Sequence, residues 1–238
     1  MRIDKLLANL GYGSRKEVKK MLRNGSVTVN GNPVKDGKVH IDPNEDSVVI
    51  LGEEVHYKEF IYLMMNKPSG VISATEDGRK ETVVDLLEYE DGVYAPFPVG
   101  RLDKDTEGFL LLTNDGQLSH QLLSPKKNVP KTYFAVINQE VTEEDVEAFR
   151  QGVTLDDGYH TKPGELKIIK TGLHSDIELT ITEGKFHQVK RMFEAVGKKV
   201  IYLKRISMGP LELDPTLELG EYRELTEEEV ELLKSYKV

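Results

Sequence analysis

The sequence contains no cysteine, which excludes a disulfide scaffold, a thiolate zinc site, an iron–sulfur cluster and a cysteine nucleophile together. The same absence agrees with a reducing compartment. Long hydrophobic runs are missing as well. The longest, Phe60 to Met65, has six residues, against the roughly 18 needed to span a bilayer. The segment Met1-Arg2-Ile3-Asp4-Lys5 carries charge too early and too evenly for a secretory signal. Repeats and low-complexity tracts are also lacking. What remains is a chain of 238 residues, 38% hydrophobic and 31% charged. It is longer than one typical domain of about 100–200 residues and apolar enough to bury a core. A cytoplasmic monomer without a membrane partner is expected.

The formal net charge of −9 argues against a nucleic-acid partner until its distribution is examined. Between Arg2 and Arg23 seven basic residues face only Asp4 and Glu17, a local net of +5. Between Glu183 and Arg205 seven more face Glu183 and Glu194, again +5, whereas Glu212 to Val238 carries −6. Phosphate senses charge within a Debye length of about 8–10 Å, so local islands outweigh the total. Two basic islands on an acidic chain match an RNA footprint, and solvated helix faces give the same pattern.

Ile3, Leu6, Leu7 and Leu10 recur at helical spacing until Gly11 and Gly13 break the pattern. Ser14-Arg15-Lys16-Glu17 reads as a capping box that opens a second helix. That helix would bury Val18, Met21 and Leu22 and present Lys16, Lys19, Lys20 and Arg23 on its opposite face. No acid interrupts this basic stripe, so intrahelical ion pairs do not account for it, and RNA contact is expected there. Val27-Thr28-Val29, the hairpin signal Asn30-Gly31, and Val48 to Leu51 complete a small sheet. The signature from Arg2 through Ser14-Arg15 to Asn30-Gly31 resembles the S4 RNA-binding domain, which implies an RNA grip over residues 1–57.

After a polar linker, residues 60–238 mix strands and helices without a βαβ rhythm. Strands are expected at Phe60–Met65, Thr132–Ile137 and Ile177–Thr182, and helices at Thr142–Arg150, Phe186–Val196 and Thr226–Leu233, where Thr226 and Glu229 form another capping box. An α+β fold with a mainly antiparallel mixed sheet flanked by helices follows. On the helix at 186–196, Phe186, Val189, Met192, Phe193 and Val196 form the buried stripe. His187, Lys190, Arg191 and Glu194 lie opposite.

The charged loop Gly100-Arg101-Leu102-Asp103-Lys104-Asp105-Thr106-Glu107-Gly108 runs straight into the apolar Phe109-Leu110-Leu111-Leu112. Such a junction holds carboxylates rigidly at the lip of a sheet, which suits a site. A salt-bridged turn is the plainer alternative. A calcium loop fails because its twelfth position is Asn114 and its middle is a buried strand. A phosphoaspartate motif fails because Glu107 stands where Thr is required.

Residues 100–116 resemble the central motif of the pseudouridine synthases, in the branch typified by RsuA, which acts on small-subunit ribosomal RNA. Asn66-Lys67-Pro68-Ser69-Gly70-Val71, Lys131-Thr132-Tyr133 and Glu183 through Phe193 are similar to further segments of the same family. The resemblance implies Asp103 as the catalytic carboxylate, Tyr133 packed on the target base, and Lys190 as the basic partner of Asp103. Many relatives carry Arg where Lys190 stands. The planar bidentate fork is absent here, so Arg191 or Arg101 is expected to share the role. Arg101, His187 and Arg191 are expected at the RNA. His187 is read as an RNA or structural contact in preference to a base, and Leu203 as a pocket wall or ordinary core. Isomerising uridine to pseudouridine moves no net electrons and loses no group, so neither metal nor cofactor is expected. The favoured partner is 16S ribosomal RNA, free or in an assembling particle. The rivals are a 23S enzyme of the same family and a non-catalytic assembly factor.

Overall fold

The computed structural model describes residues 1–43 and 45–236, and the chain forms two compact units. The first comprises Met1–Ile61 together with Leu87–Pro96. Helices α1 (Ile3–Asn9) and α2 (Arg15–Arg23) lead into strands β1 (Val27–Val29), β2 (Asn32–Pro33), β3 (Val48–Ile50) and β4 (Glu53–Glu54), an antiparallel sheet in the order β2-β1-β3-β4. The capping box forms as its residues require: the Ser14 amide donates to the Glu17 carboxylate at 2.7 Å and the Glu17 amide to Ser14 Oγ at 3.4 Å. Asn30 and Gly31, with φ of 50° and 78°, make the tight turn between β1 and β2. Ile3, Leu6, Leu7, Val18, Leu22 and Val48 bury the helix pair against the sheet. Lys16, Lys19, Lys20 and Arg23 are all exposed.

The sequence reading divides the chain at residues 57–60, while the compact units part at Ile61/Tyr62 and the first also takes up Leu87–Pro96. That later segment contains the short helix α3 (Tyr89–Gly92). The Tyr89 hydroxyl donates to the Gly11 carbonyl at 3.2 Å. Gly11 leaves the room it needs: a Cβ there would lie 2.6 Å from that hydroxyl.

The second unit comprises Tyr62–Leu86 and the chain from Phe97 onward. It is built on a mixed sheet from β5 (Tyr62–Lys67), β6 (Phe97–Pro98), β7 (Glu107–Thr113), β8 (Lys131–Ile137), β9 (Glu165–Lys170), β10 (Ser175–Ile181), β11 (Val200–Met208), β12 (Leu211–Glu212) and β13 (Tyr222–Glu224). Its order is β13-β5-β7-β11-β8-β10-β9, with β6 on β7 and β12 on β11. The β7–β11 pair is parallel and the other pairs of this sheet are antiparallel. Helices α4 (Gly116–Leu123), α5 (Glu143–Gln151), α6 (Gln188–Ala195) and α7 (Glu227–Ser235) flank it. β5 is buried along its whole length and β7 from Gly108 on, which is why both read as continuous apolar runs. Phe149 of α5 and Phe193 of α6 pack with their rings tilted by 49° and centroids 4.8 Å apart. Among the described residues no helix is long and apolar enough to cross a membrane.

Two expectations need correction. The strand placed at Phe60–Met65 begins at Tyr62 and continues to Lys67, because Asn66 and Lys67 still pair with Phe109 and Gly108; Phe60 is exposed. The helix placed at Phe186–Val196 begins at Gln188, and Phe186 is 75% exposed. His187 has φ of 49°, so the chain turns there, and the helical phase does not extend back to Phe186.

Gly108 lets β7 and β11 pair. Its φ is 101°, and a Cβ would stand 2.2 Å from the Arg205 carbonyl oxygen. Gly108→Ala is therefore expected to lower stability by about 2–4 kcal/mol, through backbone overpacking and a left-handed φ. Urea unfolding checks this, and a near-wild-type midpoint would contradict the close approach.

Candidate active site

The loop between β6 and β7 is fixed from below by one lysine. Lys67 closes β5 and has no exposed surface. Its Nζ donates to the carbonyls of Pro68 at 2.9 Å, Asp103 at 3.2 Å, Lys104 at 3.4 Å and Thr106 at 2.9 Å. Burial pushes this ammonium down to about 8, against the charges of Asp105, Asp103 and Glu107. Ser73 braces the other side: its hydroxyl donates to the Leu102 carbonyl at 3.0 Å and accepts from the Leu102 amide at 3.1 Å. The Gly70 amide donates to the Lys104 carbonyl at 2.8 Å. With its backbone held this way, the Asp103 side chain projects at the lip of the sheet, 27% exposed. The end of the same motif is structural, since Asp115 caps α4 by accepting from the amides of Gln117 and Leu118 at 3.0 Å.

Helix α6 supplies the cation. Lys190 Nζ lies 3.3 Å from Asp103 Oδ2 and 2.6 Å from Asp105 Oδ1. Burial opposes its charge, but the hydrogen bond to Asp105 and the charges of Asp103 and Asp105 prevail and hold it above the ordinary lysine range. The Lys190 hydrogen bond in turn pulls Asp105 below the usual carboxylate range. His187 brings Nε2 to 3.6 Å from Asp103 Oδ1, and its ring stacks on Phe186 with centroids 3.7 Å apart. The turn that presents them is held by Gln188, which accepts from the Lys185 amide at 2.8 Å and donates to Glu183 at 2.7 Å.

Asp103, Arg101, His187, Tyr133, Leu203 and Thr106 line one cleft. Tyr133 lies on β8 opposite Leu179 and Arg205 and is almost fully buried. Of the residues expected at the site, Asp103, Tyr133, Lys190, His187 and Arg101 thus come together. Arg191 does not share the Lys190 role. It donates to Asp156 at 2.6 Å and meets Asp157 at 2.7 Å, and its hydrogen bonds to Asp157 and Asp156 raise it above the usual arginine value. The direction of a side chain around a helix at adjacent positions decides this: Lys190 points to the loop, Arg191 to the turn at 156–157.

Sequence reasoning missed Asp105 as the nearer partner of Lys190, Lys67 as the anchor of the loop, and Thr106, whose hydroxyl is buried without a partner among the described residues. A lysine ending a buried strand and directly preceding proline was the available signal for Lys67. Among the described residues no group of three His, Asp or Glu side chains forms a metal-binding set. Lys67→Met is expected to cost about 2–4 kcal/mol, because four carbonyls lose their shared donor. Amide hydrogen exchange should then quicken across residues 100–106, and unchanged exchange would remove Lys67 from the support of Asp103.

A carboxylate on a stiff loop, an ammonium 3.3 Å from it and an aromatic wall form a site that can act on a flat ring and the carbon attached to it. Comparison with known proteins agrees. Residues 61–195 match the family described as RNA pseudouridylate synthase, and residues 1–47 match the S4 domain. The chain is 61% identical to an uncharacterized RNA pseudouridine synthase, YtzG, of Bacillus subtilis, over 98% of each chain. It is 42% identical to the ribosomal small subunit pseudouridine synthase A of Vibrio cholerae, over 97% of this chain and 98% of that one. A solved structure described as a crystal structure of pseudouridylate synthase, 39% identical, aligns with a TM-score of 0.69 over 98% of this chain and 99% of that one.

Proposed function

The chain belongs to the RNA pseudouridylate synthase family, and from that premise we propose that it converts one uridine of 16S ribosomal RNA to pseudouridine at the Asp103 cleft. The observation that carries this reading is the convergence of Asp103, its Lys190 counter-ion and Tyr133 around one opening. The small-subunit names among the relatives favour 16S over 23S RNA.

The chemistry asks little beyond these side chains. The target base must leave its stack, at a cost of a few kcal/mol, and stacking on the Tyr133 ring returns about 1–3 kcal/mol. The Asp103 carboxylate then either adds to C1′ as the bond to N1 breaks, as in retaining glycosidases, or takes a proton from the sugar to give a glycal. In both routes the uracil turns: in the first its C5 displaces the Asp103 oxygen from C1′, and in the second its C5 bonds to C1′ as Asp103 returns the proton to C2′. The hydrogen on C5 departs and N1 acquires one, so the product is an isomer and the exchange is redox-neutral. Lys190, 3.3 Å away, faces Asp103 with the opposite charge during this step. His187 and Arg101 meet the RNA at the rim of the cleft. Arg191, engaged by Asp156 and Asp157, is left out of this role.

The N-terminal unit would grip the RNA with Lys16, Lys19, Lys20 and Arg23, and the protein would work as a monomer in the cytoplasm, on free RNA or an assembling particle. Mapping pseudouridines in ribosomal RNA from a strain lacking the protein tests the substrate. Loss of a single 16S position is expected. Loss of a 23S position would move the enzyme to the large subunit, and unchanged maps would overturn the ribosomal assignment.

A further inference from the structure

A second cavity, about 270 Å³, adjoins the Asp103 cleft and shares Arg101, Tyr133, Gly184 and Lys185 with it. Its charge is one-sided. Arg101, Lys131, Lys162, Lys185 and Arg205 line it against one carboxylate, Glu183. Glu183 is already engaged, since it accepts from the Tyr159 hydroxyl at 2.7 Å, the Lys162 amide at 2.9 Å and Gln188 at 2.7 Å.

Two of the cations are set deep. Arg205 is 2% exposed. Its Nε donates to the Phe109 carbonyl at 2.8 Å, yet its Nη2 is buried without an acceptor among the described residues. Lys131 stands two residues before Tyr133 on β8, and Arg205 lies opposite Tyr133 on β11, so all three share one face of the sheet. Lys131 Nζ donates to the Val129 carbonyl at 3.0 Å. Burial, with the neighbouring Arg205 charge, brings this amine down to about 8. An arginine needed only to hold the Phe109 carbonyl would use Nε alone. A second, half-buried cation beside it concentrates positive charge that the one lining carboxylate, already engaged, does not offset. A phosphate oxygen would satisfy Nη2 and the remaining Lys131 donors with charge-assisted hydrogen bonds.

We propose that this cavity is a phosphate site, and that it takes a phosphodiester of the substrate RNA adjacent to the uridine held at Asp103. Tyr133 forms the wall between the two openings, so one strand crossing it places a base in the first and a backbone phosphate in the second. This rests on the proposed function for the identity of the strand. The contact would fix where the base enters, and it would act on any sequence, since phosphates position and bases specify.

The test uses the full chain, inorganic phosphate followed by phosphorus NMR, and a ribosomal RNA transcript followed by filter binding over a salt series. Lys131→Met is the deep variant. Lys162→Met, at an exposed position, is the second, in case the first fails to fold by circular dichroism. Wild type should bind phosphate saturably, and the transcript should displace it. Lys131→Met should bind phosphate at least about tenfold more weakly and lower the log–log salt slope for RNA by about 0.7, the share of one single-strand phosphate. Lys162→Met should weaken phosphate binding in the same direction. Wild-type phosphate affinity and salt slope in the folded variants would overturn the site. Phosphate that the transcript does not displace would overturn its assignment to RNA. None of these readouts needs turnover: if they hold while no pseudouridine forms, the isomerase reading fails and the phosphate site stands.

Discussion

Asp103→Asn is expected to cut pseudouridine formation at least ~10³-fold, about 4 kcal/mol of transition-state stabilisation, while RNA binding persists. The replacement keeps the shape of the side chain and removes its charge. A neutral amide neither adds to C1′ nor accepts a sugar proton, so both routes stop at the same atom. The protein itself should remain folded. Lys67 holds the loop through backbone carbonyls, which the substitution leaves in place. Lys190 retains Asp105 at 2.6 Å, so no buried cation is stranded. Single-turnover assays with saturating enzyme separate this loss from any change in affinity. Turnover equal to wild type would remove Asp103 from the mechanism.

Reversing the charge at Lys16, Lys19, Lys20 and Arg23 should weaken RNA binding by about 10²–10³-fold at low salt and lower the log–log salt slope by about 3, as expected when about four phosphate contacts are lost. All four side chains are exposed on α2, so stability should stay within about 0.5 kcal/mol of wild type. The effect should fall on the RNA concentration needed for half-maximal rate and spare the rate at saturation, because none of these residues lines the Asp103 cleft. Filter binding across a salt series reads both quantities. An unchanged slope would place the RNA on another surface.

Features governed by neighbours in the chain were legible beforehand. The Ser14–Glu17 box, the Asn30-Gly31 turn and the buried runs of β5 and β7 each follow from local spacing, and the exposed stripe on α2 follows from helical period. The glycine-bounded charged loop entering an apolar strand stood out by its pattern, but Asp103 within it was singled out by the resemblance to the pseudouridine synthases. The details that give the site its geometry were set by contacts distant in sequence. Asp105 approaches Lys190 across 85 residues, and Lys67 reaches Thr106 across 39. Arg205 and Lys131 face one cavity because β8 and β11 pair in one register, and no periodicity within either strand discloses that. Phe186 was misplaced for a local reason: the left-handed turn at His187 breaks the helical phase that assigned it to the core.

Release of tritium from transcripts labelled at uridine C5 reads the isomerisation at the Asp103 cleft itself. Joining the base to the sugar through C5 must expel that hydrogen, whichever route Asp103 follows. Release from ribosomal RNA in step with pseudouridine formed is expected, and none with Asp103→Asn. Pseudouridine-free transcripts that keep all their tritium after incubation with the folded wild-type protein would contradict it.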